Sequence, residues 1–176
     1  MRDVDLDRES IWISYCPPAL KSRAPDQLGK FTSHHRLATP VSPWERLKIG
    51  CGTPPVLTRH GWLIVYHGVS EMEQASKRTH ALRYSAGVMV LSKEHPQIIR
   101  YRSTEPLLTP SLPQERDGTV ANVVFPTGID RRDDIGSPDR FDIYYGMADN
   151  RIGVARLDVP ELLPPGGVAD SPEAKV

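Results

Sequence analysis

The chain has 176 residues with 22 basic and 22 acidic side chains, so its formal net charge is zero. That balance, with Arg and Lys scattered rather than clustered, lacks the long-range positive field that nucleic-acid binding draws on. Cys16 and Cys51 form neither a disulfide framework nor a metal-finger spacing; the charged start MRDVDLDRES lacks a signal peptide's apolar core, and no apolar run nears the ~20 residues of a membrane span.

Short apolar segments bounded by turn residues predict strands near 10–16, 53–58, 61–67, 82–91, 97–102, 120–125, 139–146 and 150–157. Alternation is plain in Phe141-Asp142-Ile143-Tyr144-Tyr145. No stretch sustains a 3.6-residue period over three turns. The segment Glu71–Arg78 reads as a loop, Arg131–Arg140 as a polar loop between outer strands, and 161–176 as a disordered tail by composition. The 17 prolines and 13 glycines agree with a turn-rich, all-β domain over 1–160. A faint repeat aligns Ile11–Tyr15, Trp62–Tyr66 and Arg140–Tyr144 on their tyrosines, the last two continuing as His67-Gly68 and Tyr145-Gly146. Three copies fit a β-propeller and a β-sandwich alike.

Few side chains invite chemistry, and each has an ordinary alternative. Lys48 lies between Trp44 and the Gly50/Gly52 pair, where a Gly-rich turn would let an anion approach; a solvated surface lysine is the alternative. His67 ends an apolar strand and can donate to a phosphate or hydroxyl oxygen, or simply be satisfied by backbone. Asp149 in GMADN can accept two sugar hydroxyls, or close its own turn. Tyr66, Tyr84, Tyr144 and Tyr145 could form a sugar platform or pack across strands. His34-His35 has no third partner for a metal. Cys51 has no local base and reads as a small buried thiol.

Taken together and in order, WERLKIGCGTPP (Trp44–Pro55), GWLIVYHGV (Gly61–Val69), YSAGVMVL (Tyr84–Leu91), NVVFPTG (Asn122–Gly128) and YYGMAD (Tyr144–Asp149) resemble the second half of glycoside hydrolase family 130, the β-mannoside phosphorylases and their relatives. The resemblance runs from about residue 10 to 158. It implies part of a five-bladed β-propeller, about its last two to three blades. It also implies phosphorolysis, in which inorganic phosphate attacks the anomeric carbon of a β-linked mannose with inversion and releases α-mannose 1-phosphate. Such chemistry needs a carboxylic acid at the leaving oxygen and cations around the phosphate. By resemblance Lys48 and His67 match phosphate-binding positions. Asp149 matches a position for mannosyl hydroxyls; of the platform tyrosines, Tyr66 and Tyr145 are taken as further substrate contacts. Ser92–Pro96 departs from the family's Asp-rich turn. The general acid belongs to a preceding half; Asp3, Asp5 and Asp7 stand in the wrong context for it.

Three readings follow. The chain is the C-terminal portion of a β-mannoside phosphorylase working with a complementary N-terminal half or as a homo-oligomer; or it is a non-catalytic sugar- or phosphate-binding remnant or gene fragment; or it is a β-mannoside hydrolase of the same family. The expected ligands are a β-mannoside and inorganic phosphate, with no metal or organic cofactor, no nucleic acid, no membrane and a cytoplasmic location.

Overall fold

The computed structural model describes residues 9–16, 30–31, 33–72, 81–165 and 167. Among the described residues ten strands follow one another: β1 (Ile11–Tyr15), β2 (Ser33–Ala38), β3 (Lys48–Cys51), β4 (Val56–Thr58), β5 (Gly61–Met72), β6 (Ala81–Leu91), β7 (Ile99–Arg102), β8 (Val124–Arg131), β9 (Arg140–Met147) and β10 (Arg151–Asp158). A one-turn 3-10 helix, Pro43–Glu45, precedes β3, and a single α-turn, α1 (Pro113–Arg116), precedes β8. None of these helices is long and apolar enough to cross a membrane.

The strands form three antiparallel sheets: β1-β2, then β3-β5-β6-β7 with β4 also on β5, then β10-β9-β8. The central ladder pairs β5 with β6 from Trp62↔Leu91 to Met72↔Ala81 without a break. Its run Leu63-Ile64-Val65-Tyr66 is apolar at every position because both faces are covered. Leu63, Val65, Ala86 and Val90 pack on Phe141, Ile143 and Tyr145 of β9. On the opposite face Ile64, Tyr66, Met89 and Leu91 pack on Ile11, Leu37 and Trp44. Burying these two apolar layers supplies the main driving force for stacking the sheets.

Most predicted strands are present. Two that were not predicted are β2, whose SHHRLA carries no apolar alternation, and β3. The KIGC segment is a strand rather than a Gly-rich turn. Strand β8 also begins later than expected, because Asn122 adopts a left-handed φ of 60° and Val123 makes only an isolated bridge to Tyr84. The polar loop between outer strands is shorter than expected, since Arg131 ends β8 and Arg140 opens β9. Arginine–carboxylate contacts hold it, Asp139 taking Arg59 Nε at 2.9 Å and Arg131 Nη1 at 3.1 Å. Of the expected loop Glu71–Arg78, Glu71 and Met72 extend β5 and 73–78 lie outside the described residues, as do 168–176 of the expected tail.

A repeat longer than the tyrosine-bearing strands emerges from the structure. Thr39-Pro40-Val41-Ser42-Pro43-Trp44-Glu45-Arg46 recurs as Thr109-Pro110-Ser111-Leu112-Pro113-Gln114-Glu115-Arg116. In both copies proline starts a single helical turn, where its missing N–H costs nothing, and glutamate is its third residue. Each glutamate reaches back to two backbone amides. Glu45 Oε1 accepts from Val41 N and Ser42 N, and Glu115 Oε2 accepts from Ser111 N and Leu112 N. Each also accepts a buried tyrosine hydroxyl: Tyr66 on Glu45 at 2.7 Å and Tyr145 on Glu115 at 2.9 Å. The first copy adds Arg102, which is 1 % exposed and donates to Glu45 at 2.7 Å, to the Tyr66 oxygen at 3.1 Å and to the Thr39 carbonyl at 2.8 Å.

The third sheet leaves one face open. Ile152, Val154 and Tyr144 lie together on it, 79, 55 and 39 % exposed. An apolar sheet face beside an edge strand favours association. The full chain is therefore expected to show concentration-dependent association in sedimentation velocity, and Ile152→Lys with Val154→Lys is expected to suppress it. A concentration-independent monomer would contradict this expectation.

Candidate functional site

Register brings Lys48 and His67 to one face. Lys48 pairs with Val69 and Gly50 with His67, so these four positions point the same way from β3 and β5. The glycine has a purpose different from the one its sequence context suggests. A Cβ at Gly50 would collide with the His67 imidazole, so Gly50 makes room for the ring rather than for an anion at the backbone. The ring lies 4.3 Å from Phe125 and 6.1 Å from Tyr84, centroid to centroid. The Lys48 ammonium sits 5.7 Å from the Tyr84 ring centre and 3.8 Å from a Glu9 carboxylate oxygen.

Tyr84 and Phe125 also line a cavity of about 300 Å³ with Val120, Val123 and Asp149. Asp149 reaches it from the β9–β10 turn, where Ala148 and Asp149 both take left-handed φ values of 49° and 50° and Asn150 N bonds the Met147 carbonyl. Two successive positive-φ residues are what a tight hairpin between twisted strands requires, although neither residue here is glycine. Strain of this kind persists where the surrounding structure fixes it, here through Ala148 N on the Val123 carbonyl. Tyr84 and Phe125 thus touch Lys48 or His67 and also line the cavity with Asp149, although Lys48 and His67 do not line it themselves.

The His67 Nδ1 atom is buried without a hydrogen-bond partner among the described residues. Burial strips water from the imidazolium and pushes its pKa down to about 4, with the Lys48 charge adding to the shift, while the Cys51 backbone and Glu9 oppose it. Near neutral pH the ring is uncharged, with one N–H to donate and one nitrogen to accept. Because the unfolded chain takes up a proton at its ordinary pKa near 6.5 and the folded one does not, acid favours unfolding. Stability is expected to fall as pH drops from about 6.5 to about 4, by up to roughly 3 kcal/mol, and then to level off for this group. Melting His67→Gln beside the parent chain over that range checks it: the variant's curve should be flatter by this amount.

The two tyrosines expected at the substrate do not join this cluster. Tyr66 is fully buried with its hydroxyl on Glu45 and faces away from His67, and Tyr145 is 6 % exposed with its hydroxyl on Glu115. Burial and the glutamate contact hold the Tyr145 hydroxyl protonated up to about 12. Tyr84 was named in sequence only as one of four platform candidates, and Phe125 was not named. The sign for Phe125 lay in NVVFPTG, which puts an aromatic ring one residue before a proline at the start of an inner strand. Cys51 is exposed rather than buried, since it ends the short strand β3. His34 and His35 bond Ser14 and Ser33 hydroxyls at 2.7 and 2.8 Å. No group of three or more His, Cys, Asp or Glu able to hold a metal occurs among the described residues.

Residues 6–164 match a family profile, Glyco_hydro_130, described as beta-1,4-mannooligosaccharide phosphorylase. A beta-1,4-mannooligosaccharide phosphorylase of Ruminococcus albus is 36 % identical over 143 residues, 81 % of this chain and 39 % of that protein. A 1,2-beta-oligomannan phosphorylase of Thermoanaerobacter sp. is 31 % identical over 153 residues, 86 % of this chain and 44 % of that protein. The solved beta-1,2-mannobiose phosphorylase of Listeria innocua, in complex with beta-1,2-mannobiose, superposes with a TM-score of 0.64 at 28 % identity, covering 87 % of this chain and 37 % of that one. The chain spans less than half the length of each of these relatives.

Proposed function

The chain belongs to glycoside hydrolase family 130, and from that premise we propose that it supplies the phosphate-binding wall of an inverting β-mannoside phosphorylase. In this reading it forms the last two to three blades of a five-bladed β-propeller. Inorganic phosphate is the co-substrate, no metal or organic cofactor takes part, and the setting is cytoplasmic. The observation that carries the reading is that Lys48 and His67 share one face of β3 and β5 and contact Tyr84 and Phe125, the two rings that line a cavity together with Asp149. A plain hydrolase has no use for a phosphate cradle.

Phosphate attacks the anomeric carbon from the face opposite the departing sugar. One phosphate oxygen forms the new C–O bond while the glycosidic C–O bond breaks, and the leaving oxygen takes a proton from a carboxylic acid. Lys48 offsets the phosphate's charge as a mobile ammonium, and His67 fixes one oxygen through a neutral N–H. Asp149 accepts hydroxyls of the mannosyl unit and so sets which carbon faces the phosphate. The acid is assigned to the part of the family's fold that this chain does not span.

The test replaces the matched segment of the Listeria innocua enzyme with residues 6–164 of this chain and follows the His67 imidazole by NMR. Addition of inorganic phosphate should shift the His67 signals saturably and raise the imidazole pKa. Unchanged signals at saturating phosphate contradict the phosphate-site reading.

A further inference from the structure

Lys48 already has an anion beside it. The Glu9 carboxylate lies 3.8 Å from its ammonium, and no other acidic group pairs with Lys48 among the described residues. The same charge reaches His67: burial drives the imidazole pKa down and Lys48 adds to that, while Glu9 pulls it back up. One carboxylate therefore faces both residues assigned to phosphate. Nothing in its sequence context marks Glu9, which belongs to the charged start MRDVDLDRES.

The fold delivers this carboxylate on a short tether. Ile11, the first residue of β1, is 3 % exposed and packs in the same apolar layer as Ile49, the neighbour of Lys48 on β3. Pairing of Ile11 with Ala38 anchors the chain there, and the Trp12 indole N–H donates to Ser10 Oγ at 3.1 Å. A carboxylate held so near a cation acts at a high effective concentration and returns without diffusing from bulk water. The contact itself is weak. The Glu9 and Lys48 side chains are 70 and 35 % exposed, so water and dissolved ions reach both. Nor does the position suit a proton donor. In an inverting displacement phosphate and the departing sugar lie on opposite faces of the anomeric carbon, and Glu9 stands with the residues on the phosphate's side.

We infer that Glu9 is a tethered anion that occupies the Lys48 ammonium until inorganic phosphate displaces it, and so sets the phosphate concentration the site requires. This rests on the reading of Lys48 and His67 as a phosphate site and adds its regulation. Phosphate brings more charge and more acceptor oxygens than a carboxylate, so it wins Lys48 when it also bonds His67. At low phosphate Glu9 keeps the ammonium beside Tyr84, 5.7 Å from the ring centre.

The test titrates inorganic phosphate into the full chain and follows His67 by NMR, its signals assigned with His67→Gln. Glu9→Gln should tighten phosphate binding about two- to sixfold, the factor by which an exposed ion pair of this class competes. Glu9→Asp keeps the charge but draws it back by one methylene, and it should give most of the same gain. Glu94→Gln removes an equal charge from an exposed site beyond Leu91, at the far end of the β5–β6 ladder, and should leave the affinity unchanged. In phosphate-free buffer Glu9→Gln should also move the His67 titration midpoint down, because a carboxylate facing the ring is lost. Equal phosphate affinity in parent and Glu9→Gln, a Glu9→Asp chain indistinguishable from the parent, or an unmoved His67 midpoint would each overturn this inference and leave the phosphate site standing. Phosphate bound by none of the chains would overturn the phosphate-site reading and this inference with it.

Discussion

Arg102→Ala lowers the stability of the folded chain by about 3–5 kcal/mol, the range for removing one partner of a buried ion pair. Glu45 and Arg102 are 0 and 1 % exposed, so the variant leaves a carboxylate in the core with its cation gone. The loss also frees the Thr39 carbonyl and the Tyr66 oxygen, each of which Arg102 holds. Burial dominates the electrostatics here, as the Tyr66 hydroxyl shows, its pKa being driven well above the ordinary tyrosine value. Against a total stability of roughly 5–15 kcal/mol for a domain, such a loss brings the chain near unfolding. The surface pair Arg46–Glu71 has the same 2.8 Å class of contact but side chains 59 and 36 % exposed, so Glu71→Ala should cost less than about 1 kcal/mol. Urea denaturation of the two variants side by side tests the contrast, and equal losses would refute it. Glu45→Gln combined with Arg102→Met should lose less than Arg102→Ala alone, because no unpaired charge remains.

Lys48→Ala and His67→Ala each lower kcat/KM for phosphate by about 10²-fold in the Listeria innocua chimera carrying residues 6–164 of this chain. The magnitude is that of removing one donor from the proposed phosphate site. The two losses should differ in kind. In the proposed site Lys48 contributes charge, so its variant should bind phosphate more weakly and lose its sensitivity to ionic strength. His67 acts through an oriented N–H, and Gly50→Ala should mimic its loss by displacing the ring while the ammonium stays. Steady-state rates at varied phosphate and fixed β-1,2-mannobiose check both; near-parental rates in either variant would remove that residue from the site.

How legible this was in the sequence depended on the kind of signal. Strands buried on one or both faces could be read because apolar runs bounded by turns leave few alternatives, and Lys48, His67 and Asp149 stood out by motif. The tyrosine alignment was off by one residue in its last copy. Arg140–Tyr144 matches Trp62–Tyr66 by pattern, yet Tyr145 holds the structural place of Tyr66, opposite a glycine and bonded to a glutamate. A one-residue slip in a strand exchanges its faces, so that alignment concealed that Tyr145, not Tyr144, faces the core as Tyr66 does. The correcting signal was the recurrence of Thr-Pro-x-x-Pro-x-Glu-Arg, whose glutamates fix which tyrosine is equivalent. Strand β3 was hidden because it is four residues long with a glycine, and its pairing comes from the neighbouring β5 rather than from local preference. Phe125 joins the site through packing between two sheets, and no spacing in a single segment encodes that.

The central claim is that Lys48 and His67 hold a phosphate that attacks mannose. Its most direct measurement is the product formed by the chimera from β-1,2-mannobiose in phosphate buffer, followed by phosphorus and proton NMR. The account predicts α-mannose 1-phosphate in step with released mannose, absent when phosphate is omitted and reduced about 10²-fold by Lys48→Ala or His67→Ala. Two molecules of free mannose and no sugar phosphate, at a rate indifferent to phosphate and to both substitutions, would contradict it.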